Sequence, residues 1–122
     1  MTERLFTVAE ANAELDELRR RLPVLREARR GLIAATERIG EAVAIDGGGV
    51  AGTDWFSHQQ ALKAEVTWLA ERGVLLRDPD TGLVDFPAER AGEPVFLCWR
   101  LGEDEVGFYH PEHGGFSGRQ AL

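Results

Sequence analysis

The feature that most constrains this chain is an apolar seam through its first third. Val8, Ala11, Leu15, Leu18, Leu22, Leu25, Leu32, Ile39 and Val43 recur at alternating steps of three and four, and only Arg29 and Thr36 miss. An α-helix brings such positions onto one stripe, and a stripe of heptad spacing demands a coiled-coil-like covering partner. Thr7 followed by Glu10 supplies a capping box at its start. Pro23 has no amide hydrogen for the helical ladder, so a kink or a division is expected near Arg19 to Leu22. Gly31 and Gly40 weaken the helix by about 1 kcal/mol each relative to alanine. The first helix is expected over 7–46.

A glycine-rich stretch, Gly47 to Gly52, interrupts the seam, and 47–53 reads as a flexible linker. The spacing of Gly47 and Gly52 superficially matches a phosphate-binding loop. That motif needs a lysine where Thr53-Asp54 stands, and a strand where this chain has a helix. A second helix is expected over 54–73, capped by Asp54 or Ser57, with Leu62, Val66 and Leu69 inward and Gly73 as its left-handed end. The pair reads as an antiparallel hairpin. Unbroken, the first helix would be roughly 57 Å long, and a second of about 17 residues would cover less than half of it. Either the first helix folds back at Pro23, or a second copy or another protein covers the seam. A homodimer through the hairpin is the expectation.

From residue 74 the period changes. Val74 to Asp78, Leu83 to Phe86, Glu93 to Arg100 and Val106 to His110 read as strands, separated by Pro79-Asp80-Thr81-Gly82, Ala91-Gly92 and Gly102-Glu103-Asp104. Helices first and strands afterwards make an α+β fold, with an antiparallel meander of about four strands and a tail over 74–122. At 122 residues, with 43% hydrophobic and 29% charged content, the chain reads as one domain spanning 1–122.

The formal net charge of −7, with nine acidic residues against three arginines from Asp78 onward, argues against nucleic acid or an anionic membrane as partner. No apolar run is long enough to cross a bilayer, and the N-terminus lacks a signal-peptide layout. A lone cysteine, Cys98, points to a reducing cytoplasm. Lys63 is the single lysine against thirteen arginines, as expected from a GC-rich bacterial genome. Arg19, Arg20, Arg21, Arg26, Arg29 and Arg30 are interleaved with Glu14, Asp16, Glu17 and Glu27, so they read as a solvated helix face with local ion pairs.

The chemistry-bearing residues concentrate in the last third. With a turn centred on Glu103-Asp104, Trp99 is expected opposite Phe108 and Leu97 opposite His110. That register puts Val95, Leu97, Trp99, Leu101, Val106, Phe108 and His110 on one face and Phe96, Cys98, Arg100 and Tyr109 on the other. Cys98 and His110 would then be unable to share a metal, and Cys98, with no base on its face, reads as a small buried hydrophobe. His110 and His113, with Asp85, Glu103 or Glu112, form a candidate divalent-metal set weighed against ordinary structural or exposed histidines. His58 reads as surface. In the tail, Arg119, Ser117 and Arg100 offer a candidate small-anion site, weighed against Phe116 simply pinning the C-terminus.

Gly82-Leu83-Val84-Asp85-Phe86-Pro87, Leu97-Cys98-Trp99-Arg100-Leu101-Gly102-Glu103, His110 and Gly115-Phe116-Ser117-Gly118-Arg119 together resemble the bacterial domain-of-unknown-function family 2203. Phe6-Thr7-Val8-Ala9-Glu10-Ala11-Asn12 is similar to its opening segment. The resemblance spans nearly the whole chain and implies a domain, without an activity, cofactor or partner. Two functions remain open. One is a non-enzymatic interaction or self-associating module. The other is a small metal- or anion-binding enzyme with a site near His110, Asp85 and Arg119.

Overall fold

Thr7 opens the first helix as its capping box requires. Its hydroxyl accepts from the Glu10 amide at 3.1 Å, and its own amide donates to the Glu10 carboxylate at 2.9 Å. In the computed structural model, which describes residues 4–45 and 49–122, this helix (α1, Val8–Ala13) gives way at Glu14 to α2 (Leu15–Ile45), followed by α3 (Gly49–Arg72). The division therefore falls at Glu14. Helix α2 runs through Pro23 without interruption. Proline costs a helix about 3 kcal/mol, and burying Leu18, Leu22 and Leu25 around it returns about 1.5–3 kcal/mol each. Glu14 is buried at the break, where its carboxylate accepts from Arg72 Nε at 3.2 Å and lies 3.8 Å from Arg4.

Ion pairs fix the hairpin. Arg72 meets Glu14, Arg21 meets Glu65 at 3.2 Å, and Arg38 meets Asp54, so α2 and α3 run antiparallel. Helix α3 begins within the stretch read as linker, and neither Asp54 nor Ser57 caps it. Gly47 and Gly48 lie outside the described residues, as do the side chains of Ile39 and Val43. Extended in this way, α3 is about 36 Å long beside an α2 of about 46 Å. It covers most of the seam, where less than half was expected. Leu15, Leu18, Leu22 and Leu25 are buried within the chain itself. Leu69 turns inward and Leu62 packs against the core, whereas Val66 is exposed. Gly73, at φ +77°, closes α3 in a Schellman motif, with Val74 N–H donating to Leu69 C=O and Gly73 N–H to Ala70 C=O, both at 3.1 Å.

The rest is one antiparallel sheet of five strands in sequential order: β1 (Leu75–Asp78), β2 (Leu83–Arg90), β3 (Glu93–Arg100), β4 (Phe108–Pro111) and β5 (Gln120–Ala121). The fold is α+β, with one strand more than the sequence indicated. The inner face, bearing Val84, Phe86, Ala88, Val95, Leu97 and Trp99, joins Leu15, Leu18, Leu22, Leu25 and Leu69 in a single core. Phe6 N–H donates to Pro87 C=O at 2.7 Å, and its ring meets Phe86 edge-on.

The β3–β4 register departs from expectation by one residue. Cys98 pairs with Phe108, Leu97 with Tyr109 and Phe96 with His110. The cause lies partly in the turn itself and partly in a contact beyond the hairpin. Glu103 N–H donates to Arg100 C=O and the Glu103 carboxylate accepts from Arg100 N–H, so β3 stops at Arg100. Val106 N–H then donates to Asn12 Oδ1 at 2.7 Å, leaving the ladder for α1. A one-residue slip moves every side chain of a strand to the other face. Phe108 and His110 therefore join Phe96, Cys98 and Arg100 outside, while Tyr109 packs inward.

Candidate functional site

The outer face of a two-layer antiparallel sheet ordinarily meets water and carries polar residues. Here it carries Asp85, Cys98 and His110, all buried, with 1–3% exposure. Asp85 on β2 pairs directly with Cys98 on β3, and His110 projects from β4 beside them. One ligand-capable atom from each lies within 4.8 Å of the other two. The chain that returns from β4 through a turn (Gly114 N–H to Pro111 C=O) and a short 3-10 turn at Phe116–Gly118 forms the rim. Between rim and sheet is a cleft of about 360 Å³, lined by Arg77, Glu112, His113, Gly115 and Phe116 around the three buried groups.

The hydrogen bonds set the protonation logic. His110 Nδ1 lies 2.7 Å from the Pro111 carbonyl, which accepts only, so Nδ1 carries a proton. Nε2 lies 3.0 Å from Asp85 Oδ2, a contact that requires one proton between imidazole and carboxylate. Arg77 Nε donates to the same Oδ2 at 2.8 Å. Asp85 Oδ1 is buried without a hydrogen-bond partner. A buried acceptor left this way costs about 1–3 kcal/mol and asks for an explanation.

Cys98 is held as a neutral thiol. Burial first, and then the Asp85 charge, push it up to about 12. With both His110 nitrogens engaged, and with Asp85 raising the thiol rather than activating it, nothing generates a thiolate here, so nucleophilic catalysis by Cys98 has no support in this geometry. The linkage has a definite sign. An unfolded thiol ionises near its ordinary value of about 9, below the folded value, so the unfolded state releases the proton first and stability falls as pH rises from about 9 toward 12. At pH 8 the metal-free native protein is expected to resist iodoacetamide, with alkylation, followed by mass spectrometry, appearing only in denaturant. Rapid native alkylation would show an accessible thiolate.

The remaining candidates separate. Asp85 and His110 come together, and His113 is exposed at the cleft. Glu103 is engaged elsewhere, accepting from Arg100 N–H and pairing with Arg119. The Arg119 guanidinium lies 3.8 Å from the Phe108 ring centre and 4.7 Å from that of Phe116, and Arg100 lies over Phe116 from 5.4 Å. These contacts tie the tail to the sheet. Ser117, within the 3-10 turn, is exposed. His58 packs its ring against Gly31, where a Cβ would come within 2.4 Å, and pairs with Asp54. The expectation that Cys98 and His110 occupy opposite faces is overturned by the register. Cys98 and Arg77 are the site residues that sequence reasoning left out, and the Asp85–Cys98 cross-strand pair was the signal available for the first.

A helical hairpin laid on an antiparallel meander, with a polar cluster buried on the far side of the sheet, defines the class of this protein. Residues 4–122 match the family described as an uncharacterized conserved protein, DUF2203, and the chain belongs to that family. No curated protein and no solved structure matches the chain significantly. Among the described residues, no helix is long and apolar enough to cross a membrane.

Proposed function

We propose that the chain is a single-zinc protein whose metal is held by Asp85, Cys98 and His110, with a fourth position open to the cleft. The observation that carries this reading is the convergence of sulfur, imidazole and carboxylate donors within 4.8 Å of one another. Thiolate, imidazole and carboxylate together suit zinc, and three protein ligands with an open position are the arrangement of reactive rather than purely structural sites. A tetrahedral ion with bonds of about 2.0–2.3 Å separates its ligands by roughly 3.6 Å, so side-chain adjustments of about 1 Å suffice. The surrounding bonds fit. Pro111 C=O fixes Nδ1–H and frees Nε2 for the metal, while Arg77 retains Asp85 Oδ2 and leaves Oδ1 to coordinate. The open position supplies Lewis-acid chemistry to a small ligand.

The test is elemental analysis and calorimetric titration of untagged protein stripped of metal. One zinc per chain, lost in Cys98→Ala and Asp85→Asn variants that still fold, is the expected result. Absence of zinc binding at micromolar concentration would end this reading.

Self-association through the hairpin is a second reading. Its first support has gone, because the seam from Leu15 to Leu25 is buried internally. What favours it is the exposure of Val24, Ile33 and Phe56, at 45–57%, on the same two helices. Light scattering across concentrations is expected to give a dimer that Val24→Ser with Ile33→Ser dissociates. A monomer at 100 micromolar, or on that order, would remove it.

A further inference from the structure

Arg77 is held on two sides and not on its third. Nε donates to Asp85 Oδ2 at 2.8 Å, and the guanidinium lies over the Phe96 ring, 5.0 Å from its centre. Among the described residues its Nη groups make no hydrogen bond, and the side chain, 43% exposed, lines the cleft beside the buried Asp85, Cys98 and His110. A guanidinium fixed through Nε and stacked on an aromatic ring presents its remaining donors in a set direction, which suits an oxyanion. Leu83 and Phe116 supply apolar wall, and the cleft volume of about 360 Å³ limits the ligand to a small molecule.

We infer that this cleft binds a small oxyanion, a carboxylate or a phosphate, with one oxygen on the open position of the metal and another on Arg77. The inference rests on the zinc reading above and names the ligand class of that site. Metal dependence follows from geometry, because the ion held by Asp85, Cys98 and His110 would present its open position to the same cleft that Arg77 lines. Glu112, on the cleft wall, opposes the anion, so Arg77 and the metal act against it together.

The experiment titrates inorganic phosphate, and separately acetate, into the stoichiometrically zinc-loaded protein and the zinc-free protein, with zinc content measured for each sample. Expected is saturable binding by the zinc form that is at least about 10-fold tighter than by the zinc-free form, and an Arg77→Gln variant at least about 10-fold weaker while zinc content stays near one. Arg77→Lys recovers part of the loss, and Glu112→Gln tightens binding. Response to phosphate or to acetate alone tells which oxyanion the site takes. Retained zinc with no response to either anion overturns this inference and leaves the zinc reading standing. Equal binding by the zinc-free protein overturns the bridging geometry. Failure to bind zinc overturns both, and the zinc measurement identifies that case.

Discussion

Trp99→Ala is expected to remove about 3–5 kcal/mol of stability, a large share of the 5–15 kcal/mol available to a domain of this size. Trp99 is fully buried on the inner face of β3 and heads the largest buried side chains. Its indole N–H donates to Glu103 C=O at 3.0 Å, and Arg19 bonds the adjoining Asp104 C=O at 2.7 Å. Truncation thus opens a cavity in the core and frees a carbonyl in the loop that sets the β3–β4 register. Urea denaturation should show a lower midpoint with an unchanged slope. Trp99→Phe, which keeps most of the volume and loses the hydrogen bond, is expected to cost about 1–2 kcal/mol. A loss below about 1 kcal/mol in Trp99→Ala would mean that the ring contributes little to the core.

The helices were legible because their determinants are local. The capping box at Thr7 and Glu10, the leucine spacing from Leu15 to Leu25 and the left-handed Gly73 each act within a few residues, and each appears as read. Glu14 was not legible as a break, because what anchors it there is Arg72, at the far end of the hairpin. Pro23 misled for the opposite reason. Its local penalty is real, but packing around Leu18, Leu22 and Leu25 outweighs it.

The site failed to appear in the sequence for one identifiable cause. Period-two alternation assigned Cys98 and His110 correctly within their own strands, and only the offset between strands was wrong. That offset depends on Asn12 accepting from Val106 and on Glu103 capping Arg100, contacts that span up to 94 residues. Hairpin symmetry about Glu103-Asp104 contains neither. Asp85 was placed among the candidates from its residue type. Its position opposite Cys98 follows from β2 and β3 pairing across Ala91-Gly92, a turn the sequence already offered, where Ala91 itself adopts φ +53°.

The decisive residue is His110. In the protein loaded with zinc at about 1,000 times its dissociation constant, stabilisation of about 4 kcal/mol is expected, raising Tm by roughly 10–20 °C. His110→Ala should lose most of that increment, with zinc affinity at least about 100-fold weaker. His110 is only 3% exposed, so the substitution also removes buried volume on the outer face of the sheet and one of the partners of Asp85. The comparison must therefore be made on the zinc-dependent difference in Tm, not on Tm itself. His113→Ala supplies the control: exposed at the cleft, it is expected to change zinc affinity only a few-fold if three ligands hold the ion. Binding should also release about two protons, measurable as a buffer-dependent heat, because the Cys98 thiol and the Asp85–His110 contact each surrender one. Wild-type zinc affinity in His110→Ala, with no proton release, would place the metal elsewhere in the chain and leave the buried triad as a polar network that fixes the tail.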